Sequence, residues 1–310
     1  MNDNLEKPLI DNGEINVSLL IKELWAKKLF IVSLTSIAAI ISVLYSLSIP
    51  NVYRSQALLA PAGNQSQDIS SSLGGLSSLA GFAGISLPGT NDSKKQEALA
   101  ILNSHQFIEE FIIKHDLVVP IMAATGWDKD SNQLIINEDL YDVERKIWKK
   151  KDGKDLKPSI QETVRSFREM VSSLNDKRTG YTQIYADTFS PSMSKDWVDW
   201  LIADLNKYIM EVDLKRAENS LEYLNSQINQ TAIPELKQVM AQLIKSEQKT
   251  IMLSQSSPEY VFKILDKPII PDLKLKPKRA IICIVGTISG FIITLLITIV
   301  LIFRKKIKIT

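Results

Sequence analysis

Two long stretches of the chain have no polar rhythm. Residues 29–49 (LFIVSLTSIAAIISVLYSLSI) run for 21 positions without a charge, and residues 280–303 (AIICIVGTISGFIITLLITIVLIF) for 24. At a rise of about 1.5 Å per residue, roughly 20 apolar residues cross a hydrocarbon core about 30 Å thick. Each run therefore predicts a membrane-spanning helix, and residues 50–279 between them predict a separate folded region. This pattern excludes a soluble single-domain protein.

Between the runs the pattern changes in kind. Residues 52–59 read as a strand, started after Pro50 and stopped at Pro61. In the Gly- and Ser-rich stretch 63–90, Leu73, Leu76, Leu79, Phe82 and Ile85 recur every three residues. That spacing fits either a face packed on the membrane or a neighbour, or a tether. Residues 94–115 predict one helix, with Ala98, Ile101, Leu102, Phe107, Ile108 and Phe111 as its apolar stripe. The stretch 126–158 is polar and turn-rich, and its lysines 149–151 read either as a solvated loop or as a contact for an acidic glycan. A helix follows from Ser159 to about Leu174, then a strand over 181–189 with Ile184 and Ala186 on one face.

Ser190-Pro191 opens a far longer segment. Trp197, Leu201, Leu205, Tyr208, Val212, Leu221, Leu224 and Ile228 fall mostly at three- and four-residue steps, and 192–232 contains neither Gly nor Pro. As one helix it would extend about 60 Å, several times an ordinary globular helix of ~10–14 residues. Its far end must pack on a returning helix, on a neighbouring subunit, or on both. Pro234 is expected to kink or break the rod, helical spacing resumes over 235–253, and Tyr260, Phe262 and Ile264 mark a last strand. Pro268, Pro271 and Pro277 then stiffen the exit toward the second run. The strands at 52–59 and 259–265 adjoin the two runs, and pairing them satisfies both backbones at least cost.

The expected fold class is an α+β region, a membrane-proximal α/β base with a long protruding helical segment at about 192–254, set between two transmembrane helices. The expected divisions are 1–28 cytoplasmic, 29–49 and 280–303 membrane-spanning, 50–279 external and 304–310 a cytoplasmic tail.

Charge sets the orientation. Lys22, Lys27 and Lys28 precede the first run, and Arg304, Lys305, Lys306 and Lys308 follow the second, which favours a cytoplasmic location for both ends. Lys274, Lys276, Lys278 and Arg279 crowd the other end of the second run, but long loops translocate largely regardless of charge. A cleaved signal peptide fits poorly, because its apolar region is 7–15 residues long and lies closer to the start. The net charge of +2 argues against nucleic acid as a partner. A single cysteine, Cys283, and two histidines, His105 and His115, leave no expected metal site, and no cofactor is expected. A seven-residue tail and the lack of a G-x-x-x-x-G-K-[ST] loop predict no nucleotide-driven output domain.

Within the second run, Gly286-x-x-x-Gly290 has the spacing that lets membrane helices approach closely, and Ala38, Ser42 and Ser46 form a small-residue stripe on the first. These faces are expected to pack on each other or on a neighbouring subunit, although Gly is common in membrane helices in any case. The carboxylate pairs Glu109/Glu110 and Asp196/Asp199 lack the partners of an acid–base centre, so the chain is not expected to be an enzyme.

Taken in order, these residues resemble the chain-length determinant family, the Wzz-type polysaccharide co-polymerases. The resemblance rests on the lead-in from Ile15 through Leu19 to Trp25 and on Pro50, Tyr53, Ser55, Ala57 and Leu59 after the first run. It rests also on the Leu/Gly/Ala segment 73–85, and on Glu259, Tyr260 and Phe262 running into Pro268, Pro271 and Pro277 before a glycine-bearing second span. It implies a two-pass inner-membrane protein of Gram-negative bacteria with a periplasmic middle, of the branch without a fused kinase. It further implies a closed homo-oligomeric ring that sets the modal length of O-antigen or a related glycan. That glycan is made by a Wzy-type polymerase on undecaprenyl diphosphate, in contact with membrane lipid. In such a ring Trp197, Leu201, Leu205, Tyr208, Leu221, Leu224 and Ile228 would serve helix and subunit packing, and the spans with the proline-rich exit would face the polymerase. An accessory role in capsule or exopolysaccharide export is the alternative.

Overall fold

The computed structural model describes residues 10–11, 14–15, 17–62 and 91–307; the pattern from Leu73 to Ile85 lies outside them. In chain order the elements begin with β1 (Ile10–Asp11), β2 (Glu14–Ile15), α1 (Val17–Ala26), α2 (Lys28–Ser48) and β3 (Tyr53–Pro61). There follow α3 (Asn91–Leu102), α4 (His105–Lys114), α5 (Val118–Met122), β4 (Ala124–Asp128), β5 (Gln133–Ile136), β6 (Tyr141–Asp142) and β7 (Ile147–Trp148). Next come β8 (Lys150–Lys151), β9 (Lys154–Asp155), α6 (Ile160–Met170), β10 (Val171–Asn175) and β11 (Thr182–Thr188). The last are α7 (Pro191–Ile228), α8 (Pro234–Ser256), β12 (Phe262–Asp266) and α9 (Arg279–Ile307). They form two compact units, residues 1–51 with 275–310, and residues 52–274.

The larger unit is built on an antiparallel sheet of order β10-β11-β3-β12. β3 pairs with β11 through Ile184↔Ala57 and Ala186↔Ser55, and with β12 through Ile264↔Leu59. The first and last strands of this unit are thus neighbours, as backbone satisfaction requires. Alternation decides which face is covered: Ser55, Ala57, Leu59, Ile184 and Ala186 are buried, whereas Arg54, Gln183, Tyr185 and Asp187 turn to the open face. On the covered face lie Trp197, Leu201 and Leu205 of α7, with Phe107 and Phe111 of α4 and Phe167 of α6. Phe167 bridges two of these helices, its ring 5.5 Å from Phe111 and 5.6 Å from Trp197.

The rod is α7, 38 residues or about 57 Å long. It starts where Ser190 caps Met193 N–H and Pro191 takes the first helical position, whose missing N–H costs nothing there. It ends at Ile228 rather than at 232. The rod breaks ahead of Pro234, one of the two expected outcomes; the proline sits at the first position of a second helix, α8, which folds back along α7. The buried stripe also differs from the expected one. Beyond Ile209 it passes through Asp213 and Ala217, while Val212 is exposed.

Three expectations for the rest of this unit are corrected. The helix expected over 94–115 is two, because Ser104 leaves the helix (ψ 150°) and its hydroxyl caps Phe107 N–H at 3.2 Å. The helix opened by the Ser159–Glu162 capping box stops at Met170. From Val171 the chain becomes β10, held by the Val171↔Ala186 and Ser173↔Ile184 pairings, so ladder contacts override a local pattern compatible with helix. The stretch 126–158 contains short hairpins, with Trp127 opposite Leu134 and the Tyr141 and Trp148 rings 5.2 Å apart. Lysines 149–151 are exposed on them.

Replacing Leu201, fully buried against the sheet, with Ala should destabilise the protein by about 2–5 kcal/mol. Val212→Ala on the exposed side of the same helix should stay within about 0.5 kcal/mol. Denaturant unfolding of the full chain in detergent, followed by circular dichroism, measures both.

Candidate functional site

The smaller unit holds α2 and α9, both long and apolar enough to cross a membrane. They pack antiparallel along the small residues of each. A Cβ built on Gly286 would stand 2.2 Å from Ser42 Oγ and 2.7 Å from Ser42 Cβ, and one on Gly290 would stand 2.4 Å from Ala38 Cβ. Only glycine at both positions allows this approach. The closeness has a polar consequence, since Ser42 Oγ donates to the Ile282 carbonyl at 3.1 Å, a hydrogen bond between helices. Ser42, Ser46, Thr294 and Thr298 are buried, and Thr294 and Thr298 return their hydroxyls to Gly290 O and Thr294 O of their own helix. Ile40, Ile41 and Leu44 of α2 and Ile288, Ile292 and Leu296 of α9 are exposed. Such a surface suits lipid.

In the larger unit, Trp197, Leu201 and Leu205 lie in the core, Tyr208 is partly buried with its ring 5.7 Å from Phe107, and Leu221, Leu224 and Ile228 are half-buried on the outer rod. The first four serve the base; the last three lie beyond it. Pro268 is buried and Pro271 half-buried after β12, and Ser55 Oγ donates to the Ile269 carbonyl at 2.7 Å. Pro277 is half-buried in the smaller unit.

Two polar side chains of α7 that the hydrophobic pattern passes over hold the foot of the rod. Buried Asn206 accepts from Val261 and Phe262 N–H at 2.8 and 2.9 Å through Oδ1 and donates to Phe262 O at 3.1 Å, clamping the start of β12. Asp213, two turns further on, accepts from Lys94 Nζ and from Tyr260 Oη, each at 2.9 Å, with Arg216 at 3.5 Å. Lys94 also stands over the Tyr260 ring, 4.7 Å from its centre. Burial disfavours the Lys94 charge, but the hydrogen bond and charge of Asp213 outweigh it and hold the ammonium pKa above its ordinary value. Burial is likewise the main cause that raises the Tyr260 phenol and the Glu247 carboxyl, which faces this cluster from α8. A polar residue recurring at a seven-residue step inside an apolar stripe, as Asn206 and Asp213 do, is the signal that would have revealed them.

The carboxylates weighed above for acid–base chemistry lie on helix surfaces. Glu110 accepts from Gln106, and Asp196 and Asp199 pair with Lys195. His115 stacks on Trp200 with ring centres 4.4 Å apart and meets Asp204 at 2.8 Å. Among the described residues no three His, Cys, Asp or Glu side chains converge as metal ligands.

Gly286→Leu should separate α2 from α9. That separation should lower the unfolding midpoint of the full chain in detergent, whereas Ile288→Leu on the exposed face should leave it unchanged, as read by circular dichroism. Asp213→Asn should lower stability by about 1–3 kcal/mol. A lysine whose folded pKa is raised contributes stability below its unfolded pKa and loses it as pH rises through the folded value. The Asn variant should therefore lack part of the parent's alkaline decline above about pH 10, as measured by unfolding midpoints across pH.

Residues 13–115 match the family model described as chain length determinant protein, Wzz. Among solved structures, the chain is similar to a full-length bacterial polysaccharide co-polymerase at 11% identity and a TM-score of 0.40, covering 93% of this chain and 97% of that one. It is also similar to a fragment of WzzB, a polysaccharide co-polymerase from Salmonella Typhimurium, at 13% identity and a TM-score of 0.24, covering 73% of this chain and all of the fragment. No curated protein matches it. At such TM-scores the structural likenesses add nothing to the family match, and the matched segment takes in α2, β3, α3 and α4. Over residues 13–115, about a third of its length, the chain is thus similar to the chain length determinant (Wzz) family.

Proposed function

We propose that this protein is a non-catalytic, two-pass inner-membrane regulator of polysaccharide chain length, with both termini cytoplasmic and the larger unit periplasmic. The observation that carries the reading is the Wzz match over 13–115, which spans the first apolar helix and the first strand of the base. Two structural features support it. The α2–α9 pair is a tight apolar hairpin with branched side chains on its outside. The α7–α8 hairpin extends beyond the sheet and leaves Ile233, Leu236, Val239 and Leu243 exposed, an apolar edge suited to sister copies in a homo-oligomeric ring.

In this reading the protein is a scaffold. A ring of copies, its diameter set by contacts along α7 and at the base, governs how long a lipid-linked glycan on undecaprenyl diphosphate stays with a Wzy-type polymerase. The spans face the polymerase. O-antigen is the glycan we assign. The chemistry is the polymerase's; this chain supplies geometry and residence time.

Removal of the gene from its host should broaden the electrophoretic ladder of lipopolysaccharide, and the parent gene should restore a single modal length. Leu224→Asp on the outer rod, outside the sheet core, should shift or flatten that mode while the protein still accumulates in the membrane. An unchanged ladder accompanied by loss of capsule would replace this reading with the export role.

A further inference from the structure

The segment after β12 combines features that the chain-length reading does not use. Leu265, Ile269, Ile270 and Leu273 are 46%, 72%, 54% and 84% exposed, a concentration of bare branched side chains in nine residues. The same stretch is basic: residues 263–279 carry six Lys or Arg against two Asp. Lys263, Lys267, Lys274 and Lys278 are exposed. Exposed apolar side chains interleaved with cations fit the boundary of an anionic bilayer, where acyl chains and phosphates lie a few ångströms apart.

Covalent reach allows the segment to lie there. Leu273 is six residues before Arg279, the first residue of α9. At no more than about 3.5 Å per residue, it lies within about 21 Å of the start of that helix. A second tether is independent of the first. Ser55, whose hydroxyl holds the Ile269 carbonyl at 2.7 Å, follows Ser48, the end of α2, by seven residues, about 25 Å at full stretch. Pro268 and Pro271 lack backbone N–H groups, which lowers the cost of bringing this backbone against a low-dielectric surface.

We infer that residues 265–274 form a docking surface for the anionic phospholipid bilayer that α2 and α9 cross, with Ile269, Ile270 and Leu273 entering the interface and Lys267 meeting lipid phosphates. The inference rests on the membrane-spanning reading of α2 and α9.

The test uses the full chain with Cys283→Ser, carrying one nitroxide-labelled cysteine at Leu273, at Ile292 in mid-α9, or at Tyr223 on the rod. Each is reconstituted in nanodiscs with and without phosphatidylglycerol in phosphatidylcholine. The ratio of oxygen to nickel-chelate accessibility at 273 should fall between those at 223 and 292. It should rise with phosphatidylglycerol, and Lys267→Glu should remove that rise. A label at 273 as open to the nickel chelate as that at 223, with 292 shielded in lipid, would overturn the docking surface alone. Low access to both reagents at 273 would mean burial against protein, and would equally overturn it. A label at 292 open to the nickel chelate would take down the membrane reading itself.

Discussion

The arrangement of the larger unit depends on the pairing of its first strand with its last. β3 and β12 are separated by some 200 residues of sequence, yet Leu59 lies opposite Ile264 and Ser55 holds the Ile269 carbonyl. Because the strands are antiparallel, the chain enters and leaves this unit along the same two-stranded ribbon. β12 is the edge strand of this sheet and is buried only at Phe262, so its ladder with β3 is supported from outside the sheet. Asn206 adds three hydrogen bonds to the backbone at 261–262, so the register of the edge strand is fixed from the helix side as well.

That clamp also explains how so long a helix can be anchored. Only the first half of α7 lies against the sheet, with Trp197, Leu201 and Leu205 fully buried. Further along, the buried positions turn small or polar, at Asp213 and Ala217, and the partner changes from sheet to α8. The Asp213–Lys94–Tyr260 cluster sits at the changeover. A buried carboxylate is tolerated only with its hydrogen bonds filled, and here filling them recruits α3, the loop before β12 and the rod itself. The contribution to net stability is modest for a pair whose lysine is nearly half exposed. The gain lies in geometry, because three elements must be in place for the site to be satisfied.

Much of this was legible in the sequence. The apolar runs gave the two long helices, the alternation at Ile184 and Ala186 gave β11, and the Gly- and Pro-free stretch gave the rod. Hairpin pairing of the outer strands followed from where they join the apolar runs. What stayed hidden has a common cause. At Ser104 a local cap ends a helix whose apolar stripe continues, and at Val171 a ladder partner overrides local spacing. Periodicity contains neither the cap nor the ladder partner. Asn206 and Asp213 were passed over because a stripe is read through its apolar members. For the candidate surfaces, spacing singled out Ala38, Ser42, Gly286 and Gly290 as small faces, and the structure sets them against one another; spacing says nothing of what the function requires of them.

The closeness of that contact constrains how copies of the chain can meet. A Cβ at Gly286 or Gly290 has no room, and the glycine face of α9 is filled by α2 of the same chain. Association through those glycines would have to open the hairpin first and give up the Ser42–Ile282 hydrogen bond in a medium that offers no water in exchange. The branched faces left outside carry Ile, Leu and Val, which pack no better on each other than on lipid chains. Contacts outside the bilayer do not face that competition, since apolar surface exposed to water gains from burial. The exposed edge of α8 at Leu236, Val239 and Leu243 is such a surface, so in the proposed ring the physical drive for assembly resides in that hairpin rather than in the spans.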